Sequence, residues 1–103
     1  MRKRRNDRRH AIYCIVNILT GEKYIGLTVT KGAAVKRSVK VRFQKHVSRA
    51  KKESKDWAFC EAIRFWGKEC FEPQVMEVIR GRKPAHARER ELIKIHNPEL
   101  NTF

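Results

Sequence analysis

The chain reads as an α+β domain with its elements in the order β-β-α-α-β-α, and three features carry that reading. Two apolar runs near the N-terminus alternate with a period of two on either side of a Thr-Gly pair. Two middle segments and one late segment repeat their apolar residues at helical spacing. One further run with strand character, FEPQVMEVIRG, stands between the second and third helical segments. At 103 residues the chain has room for one modest core and no more.

The first ten residues, MRKRRNDRRH, form a charge run, read as a basic N-terminal arm ahead of a domain over residues 11–103. Such an arm is either solvated or touches nucleic acid, and Arg4 and Arg5 are its candidate contacts. No apolar stretch follows it, so it is not a secretory signal.

The segment AIYCIVNILTGEKYIG follows, from Ala11 to Gly26. Ile12, Cys14, Val16 and Ile18 alternate with Tyr13, Ile15 and Asn17; beyond Thr20-Gly21, Ile25, Leu27 and Val29 alternate with Tyr24, Gly26 and Thr28. A register that gathers the apolar set on one face gathers the other set too. A two-residue Thr-Gly loop gives that register and puts Tyr13 and Tyr24 on a shared face. Gly26 has no side chain, so a ligand or another backbone can approach there. Two tyrosines on one face are equally explained as ordinary cross-strand packing.

In KRSVKVRFQKHVSRAKKES, the residues Val35, Val39, Phe43, Val47 and Ala50 make one helical stripe, with Arg42 and His46 four apart on its flank. Lys40, Lys45, Arg49, Lys51 and Lys52 face outward, as a solvated surface or, for Lys45, Arg49 and Lys52, as nucleic-acid contacts. A second helix fits DWAFCEAIRFWG, with Phe59, Ala62, Ile63 and Trp66 as its stripe, Asp56 at its start and Gly67 at its end. Pro73 places the start of the following strand at an edge or leaves it unpaired. The last helix, KPAHARERELIKIHN, has Pro84 in its first turn. Ala85, Leu92, Ile93 and His96 share one face, and Glu89 falls on it while Glu91 does not. A carboxylate among core positions is costly unless it is ion-paired with an arginine or holds a metal.

The charge is decisive for class. The 25 Lys+Arg against 11 Asp+Glu leave +14, which calls for a polyanionic partner: nucleic acid first, an anionic membrane surface second. No apolar run approaches membrane-spanning length. The three cysteines, Cys14, Cys60 and Cys70, lack metal-site spacing and read as reduced, packed thiols of an intracellular protein.

Hydrolysis of a phosphodiester needs a water that loses a proton, stabilisation of charge on the phosphate, help for the leaving oxygen, and in-line positioning. A single glutamate can hold one hard cation that keeps most of its waters. An arginine grips phosphate oxygens bidentately. A tyrosine is a poor base, with an ordinary pKa of about 10, until a nearby cation lowers it. The sequence offers one set of these groups.

At these residues the chain resembles the GIY-YIG nuclease family. Ala-Ile-Tyr at 11–13 stands for the first triplet and Tyr-Ile-Gly at 24–26 for the second; VRFQKH and ARERELIKIHNPELN stand for the helix with its arginine and histidine and for the final helix with its glutamate and later asparagine. The resemblance covers residues 11–103 and departs at Ala11, where the family has glycine. It implies a three-stranded antiparallel sheet flanked by three helices. It also implies a metal-dependent DNA endonuclease of the stand-alone phage or mobile-element type, in the cytoplasm of a bacterial host rather than secreted. Tyr13 would be the general base or orient the attacking water, with Tyr24 in support. Arg42 would stabilise charge on the phosphate, and His46 would assist proton transfer or bind the phosphate. Glu89 would be the sole protein ligand of one Mg²⁺ or Mn²⁺ ion, and Asn101 would brace the site. Lys23 would depress the Tyr13 pKa, although the strand register points it to the other face. The implied partner is duplex DNA, met by a monomer or a transient dimer, with no small-molecule cofactor and no membrane. A non-catalytic basic nucleic-acid-binding module of the same fold is the competing reading. A basic structural protein leaves the glutamate on a core stripe unexplained.

Overall fold

The computed structural model describes residues 8–30, 34–52 and 58–101, the side chains of residues 51 and 52 aside. Strand β1 runs over Arg9–Asn17, β2 over Lys23–Val29 and β3 over Phe71–Arg80; helix α1 runs over Val35–Lys52, α2 over Ala58–Trp66 and α3 over Arg82–His96. A short 3₁₀ turn at Lys68–Cys70 links α2 to β3. The order and types are those expected, and the sheet is antiparallel with strand order β2-β1-β3. Strand β1 begins at Arg9, so the expected arm loses Arg9 and His10 to the sheet, and His10 is buried. Arg4, Arg5 and Asp56 lie outside the described residues, as does the side chain of Lys52.

The sheet buries both faces. Ala11, Tyr13 and Ile15 pack with Val39, Val47, Ala50, Phe59 and Ile63 of α1 and α2; Ile12, Cys14 and Ile25 pack with Leu92 of α3. A strand covered on both sides carries apolar residues at every position, which is why β1 reads AIYCIVN with little polar interruption. Trp66 departs from the expected stripe of α2 and stays 37% exposed, with Cys60 taking the buried place instead. His96, placed on the buried face of α3 by its spacing, is exposed in the last turn.

The hairpin differs from its expectation in one respect. Tyr13 pairs with Gly26 and Val16 with Lys23, so the connection is the five-residue loop at 18–22 rather than a two-residue Thr-Gly turn. Asn17 organises it. The Asn17 Oδ1 accepts from the backbone N–H of Leu19 at 2.9 Å and of Thr20 at 3.3 Å, and its carbonyl accepts from Gly21 at 2.7 Å. Gly21 supplies a positive φ of 81°. A register shift of two residues leaves every side chain on its face, so the two tyrosines still share one. Pro73 sits in β3, an edge strand, where a missing N–H costs least. A register irregularity between Ile12 and Tyr13 sets two residues of β3 against one step of β1 beside Tyr13.

The other edge, β2, is closed by the chain's end. Asn101 Nδ2 donates to the carbonyl of Ile25 and its Oδ1 accepts from the N–H of Ile25, both at 2.8 Å. The Leu100 N–H donates to the Lys23 carbonyl at 2.9 Å, and the Lys23 N–H to Glu99 Oε1 at 3.1 Å. These bonds satisfy edge groups that an open strand would leave to solvent.

Candidate active site

Tyr13 lies 1% exposed in the middle of β1, with its ring over Gly26 of the neighbouring strand. A Cβ on Gly26 would stand 2.5 Å from Tyr13 Oη and 2.6 Å from Tyr13 Cζ. Gly26, where a ligand such as nucleic acid or another backbone was expected to approach, makes room for the Tyr13 ring and is itself buried. The second tyrosine, Tyr24, stacks on Phe59 with ring centroids 4.3 Å apart and meets the His46 ring edge-on at 5.3 Å. The two phenols therefore both pack as core aromatics and border the same cleft.

Tyr13 Oη and His46 Nε2 are 3.0 Å apart in a buried contact. Burial first, then the Arg42 and Arg49 guanidinium groups, pushes the His46 pKa down to about 4, so the imidazole is neutral at physiological pH. With its proton on Nδ1, His46 accepts the phenolic hydrogen at Nε2. Burial raises the Tyr13 pKa well above its ordinary value; Tyr24 pushes the same way and Arg42 pulls against it. The expected lowering of Tyr13 is thus reversed, because desolvation in the α1–α2 core outweighs the guanidinium. Lys23 takes no part in that balance. It sits on the α3 face, where its charge acts on Cys14 and Glu99, because strand alternation carries it away from Tyr13.

Arg42 comes from the flank of α1 and borders the cleft. Its Nε is buried and has no hydrogen-bond acceptor among the described residues. Such a donor carries the full cost of desolvation until an acceptor arrives.

Glu89 reaches the same cleft from α3, its side chain 19% exposed. Burial raises its pKa, with His86 and Arg90 opposing. The alternative of an ion pair with an arginine falls to its neighbours: Arg88 binds Glu77 in a fork, at 3.0 Å from Nε and 2.9 Å from the terminal nitrogen, and reaches Glu91 at 3.3 Å. Among the described residues His86 Nδ1 stands 3.8 Å from Glu89 Oε1, an ion pair only when the imidazole is protonated. No cluster of three metal-ligating side chains occurs among those residues. A half-buried carboxylate that no arginine pairs with among the described residues, facing an open cleft, fits a hard divalent ion that keeps most of its waters.

The cleft encloses about 470 Å³. Tyr13, Tyr24, Thr28 and Arg42 line it from the α1–α2 side, and His10, Leu27, Arg82, His86 and Glu89 from the α3 side. Asn101 stays outside and acts on the backbone of Ile25, between Tyr24 and Gly26. Lys45 is exposed beside Arg42 in an adjoining groove that also takes in Arg37, and Arg49 is exposed further along α1. Arg8, His10, Arg82 and His86 were not singled out in the sequence. Alternation run back from Ile12 would have found His10, and i, i+3 spacing from Glu89 would have found His86.

The family model for the GIY-YIG catalytic domain matches residues 9–102, and the chain belongs to that family. Membership implies nuclease activity on DNA. No curated protein matches the chain. In fold it is similar to a mutant of the catalytic domain of the intron endonuclease I-TevI, with a TM-score of 0.69, 23% identity, and coverage of 92% of this chain and 91% of that one. No helix among the described residues is long and apolar enough to cross a membrane.

Proposed function

We propose that this domain is a divalent-metal-dependent endonuclease that hydrolyses phosphodiester bonds of duplex DNA. The observation that carries the reading is the convergence of Arg42, Tyr13 and Glu89 on one cleft, with the buried Arg42 Nε lacking an acceptor among the described residues. A phosphate in the cleft meets the Arg42 guanidinium, which holds the charge that grows there in the transition state.

Tyr13 works as a neutral phenol. Its hydroxyl oxygen accepts a hydrogen bond from the attacking water while its own hydrogen points to His46 Nε2. As the water oxygen bonds to phosphorus, its proton passes to Tyr13 and the phenolic proton to His46, so no standing phenolate is needed. An anionic phosphate at Arg42 offsets one of the charges that lower the His46 pKa, which makes the imidazole a better acceptor once substrate is bound. The P–O ester bond breaks, the leaving oxygen takes a proton from a solvent water, and the proton on His46 returns to solvent through Tyr13, so the net reaction consumes one water. Glu89 would hold one Mg²⁺ or Mn²⁺, which stabilises negative charge on the phosphate and leaving oxygens when bound. Asn101 keeps β2 in register beneath Tyr24 and Gly26. Lys45 and Arg49, with the basic arm, supply sequence-independent affinity that falls steeply with salt. One active site per chain cuts one strand at a time, as a monomer acting twice or a transient dimer on DNA.

Incubation of the purified protein with supercoiled plasmid and Mg²⁺ or Mn²⁺ tests the proposal. Nicking that chelator stops and metal restores, and that Arg42→Ala removes while duplex binding survives, is the expected result. Intact plasmid across metals, salt and pH, with duplex binding retained, would establish a binding module instead.

A further inference from the structure

We propose that His86 is a second protein ligand of the divalent ion and gives the site a preference for nitrogen-accepting transition metals over Mg²⁺. The inference rests on the proposed metal role of Glu89 and concerns a residue for which that role makes no provision.

His86 and Glu89 are one helical turn apart on α3, at the i, i+3 spacing that puts two side chains on one face. Both line the cleft with Tyr13 and Arg42. His86 Nδ1 and Glu89 Oε1 are 3.8 Å apart. That is too long for a hydrogen bond, so neither group satisfies the other. At metal–ligand lengths of about 2.0–2.2 Å, donors at right angles around one ion lie about 3 Å apart. A modest side-chain rotation closes the gap, and the His86 side chain, 47% exposed, is free of core packing that would resist it. Arg88 is held by Glu77 and Glu91, and no arginine among the described residues is ion-paired with Glu89. A helix-face imidazole beside a carboxylate thus forms a two-point chelate.

The consequence for metal choice follows from ligand chemistry. Magnesium takes oxygen donors and parts reluctantly with its waters, so an imidazole adds little to its binding. First-row transition ions gain from nitrogen in the order Mn²⁺, Fe²⁺, Co²⁺, Ni²⁺. Wild type should therefore bind Co²⁺ more tightly than Mn²⁺, and Mn²⁺ more tightly than Mg²⁺.

The test is calorimetric titration of the full chain with Co²⁺, Mn²⁺ and Mg²⁺, paired with the visible absorption of bound Co²⁺, for wild type, His86→Ala, His86→Gln and Glu89→Gln. Both His86 variants are expected to lose about tenfold or more in Co²⁺ affinity and to shift the Co²⁺ spectrum toward all-oxygen coordination, with Mg²⁺ affinity unchanged within about twofold. Glu89→Gln should abolish binding of all three. If the His86 variants leave the Co²⁺ affinity and spectrum unchanged while Glu89→Gln removes binding, the chelate is refuted and the single-ligand metal site stands. If Glu89→Gln changes nothing, or wild type binds no metal at millimolar concentration, the metal reading itself fails and the chelate with it. A loss of DNA affinity in His86→Ala, with metal binding intact, makes His86 a phosphate contact and overturns the proposal.

Discussion

Gly26→Ala adds one methyl group and strikes directly at the arrangement of Tyr13. Gly26 has an ordinary β-strand backbone, so alanine fits its dihedral angles and the effect is purely steric. The new Cβ would lie 2.5 Å from Tyr13 Oη, 2.6 Å from Tyr13 Cζ and 2.9 Å from Tyr24 Cε2, whereas ordinary contact is 3.4–4 Å. The Tyr13 ring must therefore retreat by about 1 Å in a packed core, which costs about 1–3 kcal/mol and stretches the 3.0 Å contact to His46. Misplacement by about 1 Å at a reacting centre reduces rate by about 10²-fold. Single-turnover plasmid nicking should fall by roughly that factor, and the melting temperature by roughly 4–8 °C per kcal/mol for a domain of this size. Gly21→Ala is the matched control. It meets nothing within 4 Å but carries a φ of +81°, so it should lower stability without slowing cleavage by the folded fraction. Nicking by Gly26→Ala within twofold of wild type would refute the placement of Tyr13 as the proton-handling group.

Three further outcomes follow from the same geometry. His46 titrates at 6.5 when unfolded and at about 4 when folded, so the unfolded chain takes up the extra proton between those values. Stability is then complete above pH 6.5 and declines by about 3 kcal/mol as pH falls through the folded value, a slope that denaturant melts should show and His46→Gln should flatten. Asn101→Ala removes both bonds to Ile25 and should cost about 1–3 kcal/mol by urea melts, with faster amide exchange confined to β2. Raising salt from 50 to 200 mM should weaken duplex binding by orders of magnitude in gel shifts while leaving nicking at saturating protein little changed.

Much of the scaffold was legible because its signals are local. Period two in AIYCIVN and YIGLTV, helical spacing in α1 and α3, and the position of Glu89 beside Ala85 and Leu92 require no tertiary knowledge. Arg42 and His46 could be placed on one flank of α1 for the same reason. What escaped depends on how layers meet. The five-residue loop is set by Asn17, whose side chain offers the backbone an alternative to a tight turn. Whether the Tyr13 pKa rises or falls depends on desolvation by α1 and α2 against one guanidinium, a balance that spacing does not contain. The clip of Glu99, Leu100 and Asn101 onto β2 joins residues about 76 apart in the chain. His10 was hidden within a charge run whose last two residues pair in the sheet.

The central claim is that Glu89, meeting Tyr13 and Arg42 from the opposite side of the sheet, serves chemistry rather than fold. Its most direct test is single-turnover cleavage of an end-labelled duplex by wild type and Glu89→Gln, in one metal buffer and at equal occupancy by gel shift. The expected result is duplex binding at least as tight as wild type, since a negative charge is removed, with cleavage slower by roughly 10²–10³-fold. Equal cleavage by Glu89→Gln, or a loss of binding that accounts for the whole loss of cutting, would contradict it.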